Sequence, residues 1–253
     1  MNVASAVAPS PHLLRRVLAE FVGTVLLLTV VVGSGIAAQR LSPGDVGLQL
    51  LENSLTTALG LAVLILMLGP VSGAHFNPVV TLADWFLGRR AGTGLPLGVA
   101  GSYIAAQIVG GISGTLLAGV MFDVAPAFSQ NDRATGGHLV GEAVATAGLV
   151  LLIFALARSS TAPVTAAAVG AYIGAAYWFT SSTSFANPAV TIARILTDTF
   201  AGIAPGAVPP FVLAQVLIGA AHGGAVVAGV LEHAGFAQGD VGRQRLAGQP
   251  TGH

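Results

Sequence analysis

The chain has 253 residues, 54% of them hydrophobic and only 8% charged, where a soluble domain carries roughly 25% charged residues. This composition excludes an ordinary soluble protein and points to an all-α integral membrane protein that is bathed in lipid. Ten basic side chains, all arginine, balance ten acidic ones, so nothing suggests nucleic acid. The absence of cysteine excludes disulfides and thiolate metal sites and leaves the redox compartment open.

Taken in order, residues 1–12 form a short polar, proline-containing tail. Arg15 and Arg16 then precede an apolar run over 17–38. A cleavable leader competes for this run, because it ends in Ile36-Ala37-Ala38-Gln39. Against that reading, the run is long enough to span a bilayer and holds Glu20. Further spans are predicted at 51–68, 95–122, 139–157, 164–179 and 211–231. Turn signals separate them, such as Ser42-Pro43-Gly44-Asp45 and Gly92-Thr93-Gly94. The segment from about Ala234 is polar, glycine-rich and expected to be flexible.

Between these spans one pattern occurs twice. His75-Phe76-Asn77-Pro78-Val79-Val80-Thr81 is echoed by Phe185-Ala186-Asn187-Pro188-Ala189-Val190-Thr191. Asn is a strong helix N-cap, and Pro is well tolerated at the first helical position. Each Asn-Pro should therefore open a helix, predicted over 77–87 and 187–197. A ten-residue helix at ~1.5 Å per residue is ~15 Å long, half of a ~30 Å hydrocarbon core. The turn-like residues before each Asn are unsuited to lipid, and irregular backbone survives at that depth only if buried or lining a wet path. Two half-membrane helices, meeting N-terminus to N-terminus, satisfy both constraints.

The duplication extends further. Glu20 in the first span parallels Glu142 in the fourth, and Gln107 in the third parallels Gln215 in the sixth. Glycines cluster beside both glutamines: Gly110, Gly111 and Gly114, then Gly219, Gly223 and Gly224. Each half is thus three spans and one half-helix, and an odd number of spans inverts the second copy. The halves cover about 13–122 and 138–232, flanked by tails at 1–12 and 233–253. With both tails cytoplasmic, seven arginines fall inside and three (Arg40, Arg133 and Arg194) outside, which satisfies the positive-inside rule.

On Ser72-Gly73-Ala74-His75-Phe76-Asn77-Pro78, Asn187-Pro188-Ala189 and the Glu20/Glu142 pair, the chain resembles the major intrinsic proteins, the aquaporins and aquaglyceroporins. The match covers about residues 13–232. The resemblance implies six transmembrane helices plus two re-entrant half-helices in the aquaporin-like fold. It implies a homotetramer in the cell membrane with one pore per subunit, needing no cofactor and passing small neutral solutes down their gradient.

Within that frame, Asn77 and Asn187 are expected to donate side-chain N–H groups to the solute, beside backbone carbonyls of 73–76 and 182–186. Pro78, Val79, Pro188 and Ala189 complete the two pore motifs. Glu20 and Glu142 are expected to accept hydrogen bonds from loop N–H groups that lipid cannot satisfy. Gln107 and Gln215 do related interhelical work. His75 stands either at the pore approach, as a gate, or merely packs the loop. The family's outer filter carries over by spacing to Thr57, Ala175, Ser184 and Val190. Its usual arginine is here Val190, and its usual aromatic is Thr57. Arg194, four residues on, either replaces the missing arginine or pairs with Asp198.

All four filter positions are small or medium, so a wide filter is expected. Val in place of Arg, with Thr197-Asp198-Thr199-Phe200, resembles a bacterial branch linked to arsenic resistance. That implies passage of neutral metalloid hydroxides such as arsenous acid, along with small polyols and water. A water-selective or glycerol-type pore is the alternative. An ion-coupled carrier would need a carboxylate free at depth, and no nucleophile motif or metal cluster supports an enzyme.

Overall fold

The structure is a computed structural model that describes residues 12–89 and 92–218, with backbone alone at 158 and 159. Among the described residues, five helices are long and apolar enough to cross a membrane: α1 (Leu13–Leu41), α2 (Val46–Ser72), α4 (Leu97–Met121), α5 (Gly136–Ser159) and α6 (Ala162–Phe179). Two short helices, α3 (Pro78–Gly88) and α7 (Pro188–Ala193), start at the two Asn-Pro motifs. The apolar helix α8 (Pro205–Ile218) opens the sixth expected span. Its remainder, with Gly219, Gly223 and Gly224, lies outside the described residues, as do Arg90, most of the N-terminal tail and the 233–253 tail.

Local chemistry sets the boundaries. Asp45 caps α2 by accepting from the Leu48 N–H at 2.9 Å, and Thr135 caps α5 by accepting from His138 N–H at 3.2 Å. Two expectations need correction. Gly69-Pro70-Val71 reads as a turn, yet α2 continues through Pro70 to Ser72 and stops at Gly73, whose φ of 92° suits glycine. The second half-helix, predicted over 187–197, keeps regular α geometry only to Ala193. It then tightens into a 3₁₀ turn, Arg194–Leu196.

The spans interlock through small residues. α1 packs on α4 and α2, and α2 packs on α6. A Cβ at Gly110 would lie 2.6 Å from the Phe21 carbonyl oxygen, and one at Gly114 would lie 2.2 Å from that of Val25. Glycine there lets α1 and α4 touch backbone to backbone. Leucines on the outer face of α2, Leu51, Leu55 and Leu59 among them, are exposed, as a lipid-facing or subunit-facing surface requires.

These contacts predict opposite effects for two glycines of one helix. Gly114→Ala pushes a methyl into backbone that cannot yield, at about 1–3 kcal/mol. Gly101→Ala, which meets nothing within 4 Å, should be neutral or stabilise by about 0.5–1 kcal/mol. Thermal unfolding of the detergent-solubilised variants should show a lower midpoint for the first and none for the second.

Candidate functional site

The loops before α3 and α7 have the same backbone. Ala74 and Phe76 in the first, and Thr183, Ser184 and Ala186 in the second, sit at φ values between 46° and 61°. Non-glycine residues enter this left-handed region only under compensation, at a cost of order 1–3 kcal/mol each. The compensation is a carboxylate under each loop. Glu20 Oε1 accepts from Ser72 Oγ at 2.6 Å and from His75 N–H at 3.0 Å. Its Oε2 accepts from Phe76 N–H and from Gln107 Nε2, each at 2.7 Å. Glu142 repeats the arrangement: Oε1 accepts from Phe185 N–H at 2.8 Å, and Oε2 accepts from Ala186 N–H at 2.8 Å and Gln215 Nε2 at 2.6 Å. Both carboxylates are wholly buried. Gln107 and Gln215 pass the network on to Thr81 and Thr191 of the short helices, at 3.0 and 2.9 Å.

The asparagines join the two halves. Asn77 Oδ1 accepts from Val79 N–H at 2.9 Å, and Asn187 Oδ1 accepts from Ala189 N–H at 3.0 Å, each capping its own helix. Asn77 Nδ2 donates to the Ala186 carbonyl, and Asn187 Nδ2 donates to the Phe76 carbonyl, both at 2.8 Å. The last carbonyl of each loop is therefore engaged by the opposite asparagine, a constraint absent from the sequence reading. Each amide keeps a second N–H, and both asparagines border one cavity of about 260 Å³. The N-termini of α3 and α7 meet here.

Because α3 and α7 diverge from this meeting point, Asp84 and Arg194 mark opposite ends of the cavity. Asp84 accepts from Leu95 N–H at 2.8 Å. His75 lies on the wall, its Nδ1 3.1 Å from Thr81 Oγ1. Thr81 Oγ1 also donates to the Asn77 carbonyl at 3.0 Å. Of the six motif residues only Asn77 and Asn187 reach the wall. Pro78, Val79, Pro188 and Ala189 are buried behind it, Val79 against Ala83 and Val150, because the helices run away from the asparagines.

At the Arg194 end, Thr57, Ser184 and Val190 line the cavity together with Arg194. Ala175 does not: it is exposed on the far side of α6. Ile173 and Tyr177 face inward instead, and a two-residue offset on a helix is about 200°, which puts Ala175 on the opposite face. Tyr177 was missed by spacing; a tyrosine low in an apolar span was its only signal. Its hydroxyl meets Thr57 Oγ1 at 3.2 Å. Ser184 Oγ is buried without a protein partner.

Arg194 is buried, with its guanidinium carbon 3.6 Å from the Phe185 ring centroid and its Nε donating to the Ala201 carbonyl. It forms no pair with Asp198, which accepts from Gln130 N–H at 2.9 Å. The 3₁₀ turn at 194–196 removes the one-turn spacing such a pair needs.

Residues 8–184 match the family profile described as major intrinsic protein. The aquaglyceroporin AqpS of Rhizobium meliloti (strain 1021) is 48% identical over 206 residues, 81% of this chain and 85% of that protein. Human aquaporin-5 is 34% identical over 161 residues, 60% of this chain and 56% of its own length. The X-ray structure of the Plasmodium falciparum aquaglyceroporin superposes with a TM-score of 0.64 at 19% identity, covering 85% of this chain and 94% of that one.

The brace network yields a test. Glu142→Ala leaves Phe185 N–H, Ala186 N–H and the Gln215 amide without their acceptor at membrane depth. At about 1–3 kcal/mol for each buried donor left unsatisfied, the variant should lose several kcal/mol. Thermal unfolding in detergent should show a large drop, against a small one for Asp84→Asn, which leaves the brace untouched.

Proposed function

This chain belongs to the major intrinsic protein family, a multi-span membrane channel and not an enzyme, and from that premise we propose a wide-filter pore for small uncharged solutes. Passage of water or glycerol-type solutes is the common ground of the family. The finer reading is that bulky neutral polyhydroxy species, metalloid hydroxides such as arsenous acid among them, also pass.

One observation carries this reading. Where the family pattern calls for an arginine in the lumen, this pore has Val190, flanked by Thr57 and Ser184. Arg194, the displaced filter arginine in this reading, is drawn sideways onto Phe185 and Ala201. A hydroxyl-rich solute then meets the second N–H groups of Asn77 and Asn187, the free Ser184 hydroxyl and the Thr57–Tyr177 pair. These replace the water it sheds on entry. At the other end, the His75 ring lies on the cavity wall, which suits a pore-approach role for His75. Ion coupling is disfavoured because every oxygen of Glu20 and Glu142 is held by loop or glutamine donors.

The same reading places both termini in the cytoplasm, by arginine distribution, and the Asp84 end of the pore on that side. It places the protein as a homotetramer in the cell membrane, with the exposed α2 face among its contact surfaces.

Stopped-flow light scattering on proteoliposomes should show fluxes of water, glycerol and arsenous acid that do not respond to pH or sodium gradients. Val190→Arg should cut the glycerol and arsenous acid fluxes by about tenfold, a barrier rise of roughly 1.4 kcal/mol, and reduce water flux less. Equal loss of all three, or none, would reject the wide-filter reading.

A further inference from the structure

Around the Phe185 ring stand two arginines. Arg194 lies on the cavity wall, with its guanidinium carbon 3.6 Å from the ring centroid. Arg133, from the connection between α4 and α5, lies 5.4 Å from the same centroid and off the cavity wall. The two grip successive carbonyls of one segment. Arg133 Nη2 takes Phe200 at 3.1 Å, Arg194 Nε takes Ala201, and Arg133 Nε takes Gly202 at 3.0 Å. Among the described residues no carboxylate forms an ion pair with either. Glu142 is committed to its loop, and Asp198 and Asp132 to backbone N–H groups. Two positive charges therefore share the outer end of the pore without a direct ion-pair partner, against the single carboxylate of Glu142 beneath the Phe185 loop. Only carbonyl dipoles and an aromatic face hold them in place.

We propose that Arg133 is the second half of a two-arginine charge filter that excludes cations from a pore whose lumen is left open at Val190. Size selection and charge selection are thereby separated. Thr57, Ser184, Val190 and Tyr177 set the width. Arg194 and Arg133 set the potential from beside and behind Phe185, in a low-dielectric setting where screening is weak. The 200–202 segment fixes the distance between the charges. Arg133 acts on the permeating species through its field, so its charge matters more than its fork. This rests on the channel reading above, and it concerns ions where that reading concerns neutral solutes.

The test uses the full-length chain in liposomes, with potassium efflux and glycerol-driven volume change read in the same vesicles. Arg133→Gln and Arg194→Gln should each raise potassium permeability relative to glycerol. The double variant should raise it by about tenfold or more, and Arg133→Lys should stay within about twofold of the parent. A double variant that passes glycerol yet stays tight to potassium overturns the proposal. So does an Arg133→Lys variant that leaks as much as Arg133→Gln, since the fork and not the charge would then be at work. If the double variant fails to fold, as judged by size-exclusion behaviour, the Arg133→Lys and Arg133→Gln pair decides alone. A parent chain that passes no neutral solute at all would instead sink the reading of the pore on which this one stands.

Discussion

A backbone N–H at mid-bilayer has no water to bond with, and leaving it unpaired costs several kcal/mol. The two re-entrant loops bring a run of such groups to that depth in a strained conformation. Glu20 and Glu142 answer the constraint. Each accepts from two consecutive loop N–H groups and from a glutamine on a neighbouring span. An isolated buried carboxylate would be expensive, but each of these is surrounded by hydrogen-bond donors. The braced loops then present their carbonyls inward and start the half-helices at fixed points.

The inverted repeat makes this economical in sequence. One brace, one asparagine cap and one threonine–glutamine relay serve each half. The asparagines add what neither half has alone, since each donates to the other loop's final carbonyl. The centre of the pore is therefore a symmetric, mutually locked unit. The outer end is where the symmetry yields to function. There the first half supplies Thr57, and the second supplies Tyr177, Ser184, Val190 and Arg194.

The sequence showed the central unit well, for a physical reason. A polar residue inside an apolar span must have a partner, so Glu20, Glu142, Gln107 and Gln215 stood out, and their recurrence at matched spacing indicated which half each served. The outer end was less legible. Helix α6 is mostly small and apolar residues whose inward face at the filter is marked by Tyr177 alone, so a two-residue slip exchanged Ala175 for Tyr177. The partner of Arg194 depends on a 3₁₀ turn that its local sequence does not announce, and the pairing with Asp198 disappears once that turn forms. The asparagine cross-bonds and the Arg133 contacts with 200–202 are tertiary. They join residues tens of positions apart, and no local pattern encodes them.

The most direct measurement of the central claim is the through-space dipolar coupling between asparagine side-chain nitrogens and phenylalanine carbonyl carbons, by solid-state magnetic resonance in lipid. Asn187→Asp serves as the subtraction. A hydrogen bond from Asn187 Nδ2 to the Phe76 carbonyl predicts a nitrogen–carbon separation of about 4 Å and a coupling that vanishes in the substituted protein. A spectrum unchanged by the substitution would mean that the two loops do not meet, and the account of the pore would fail with them.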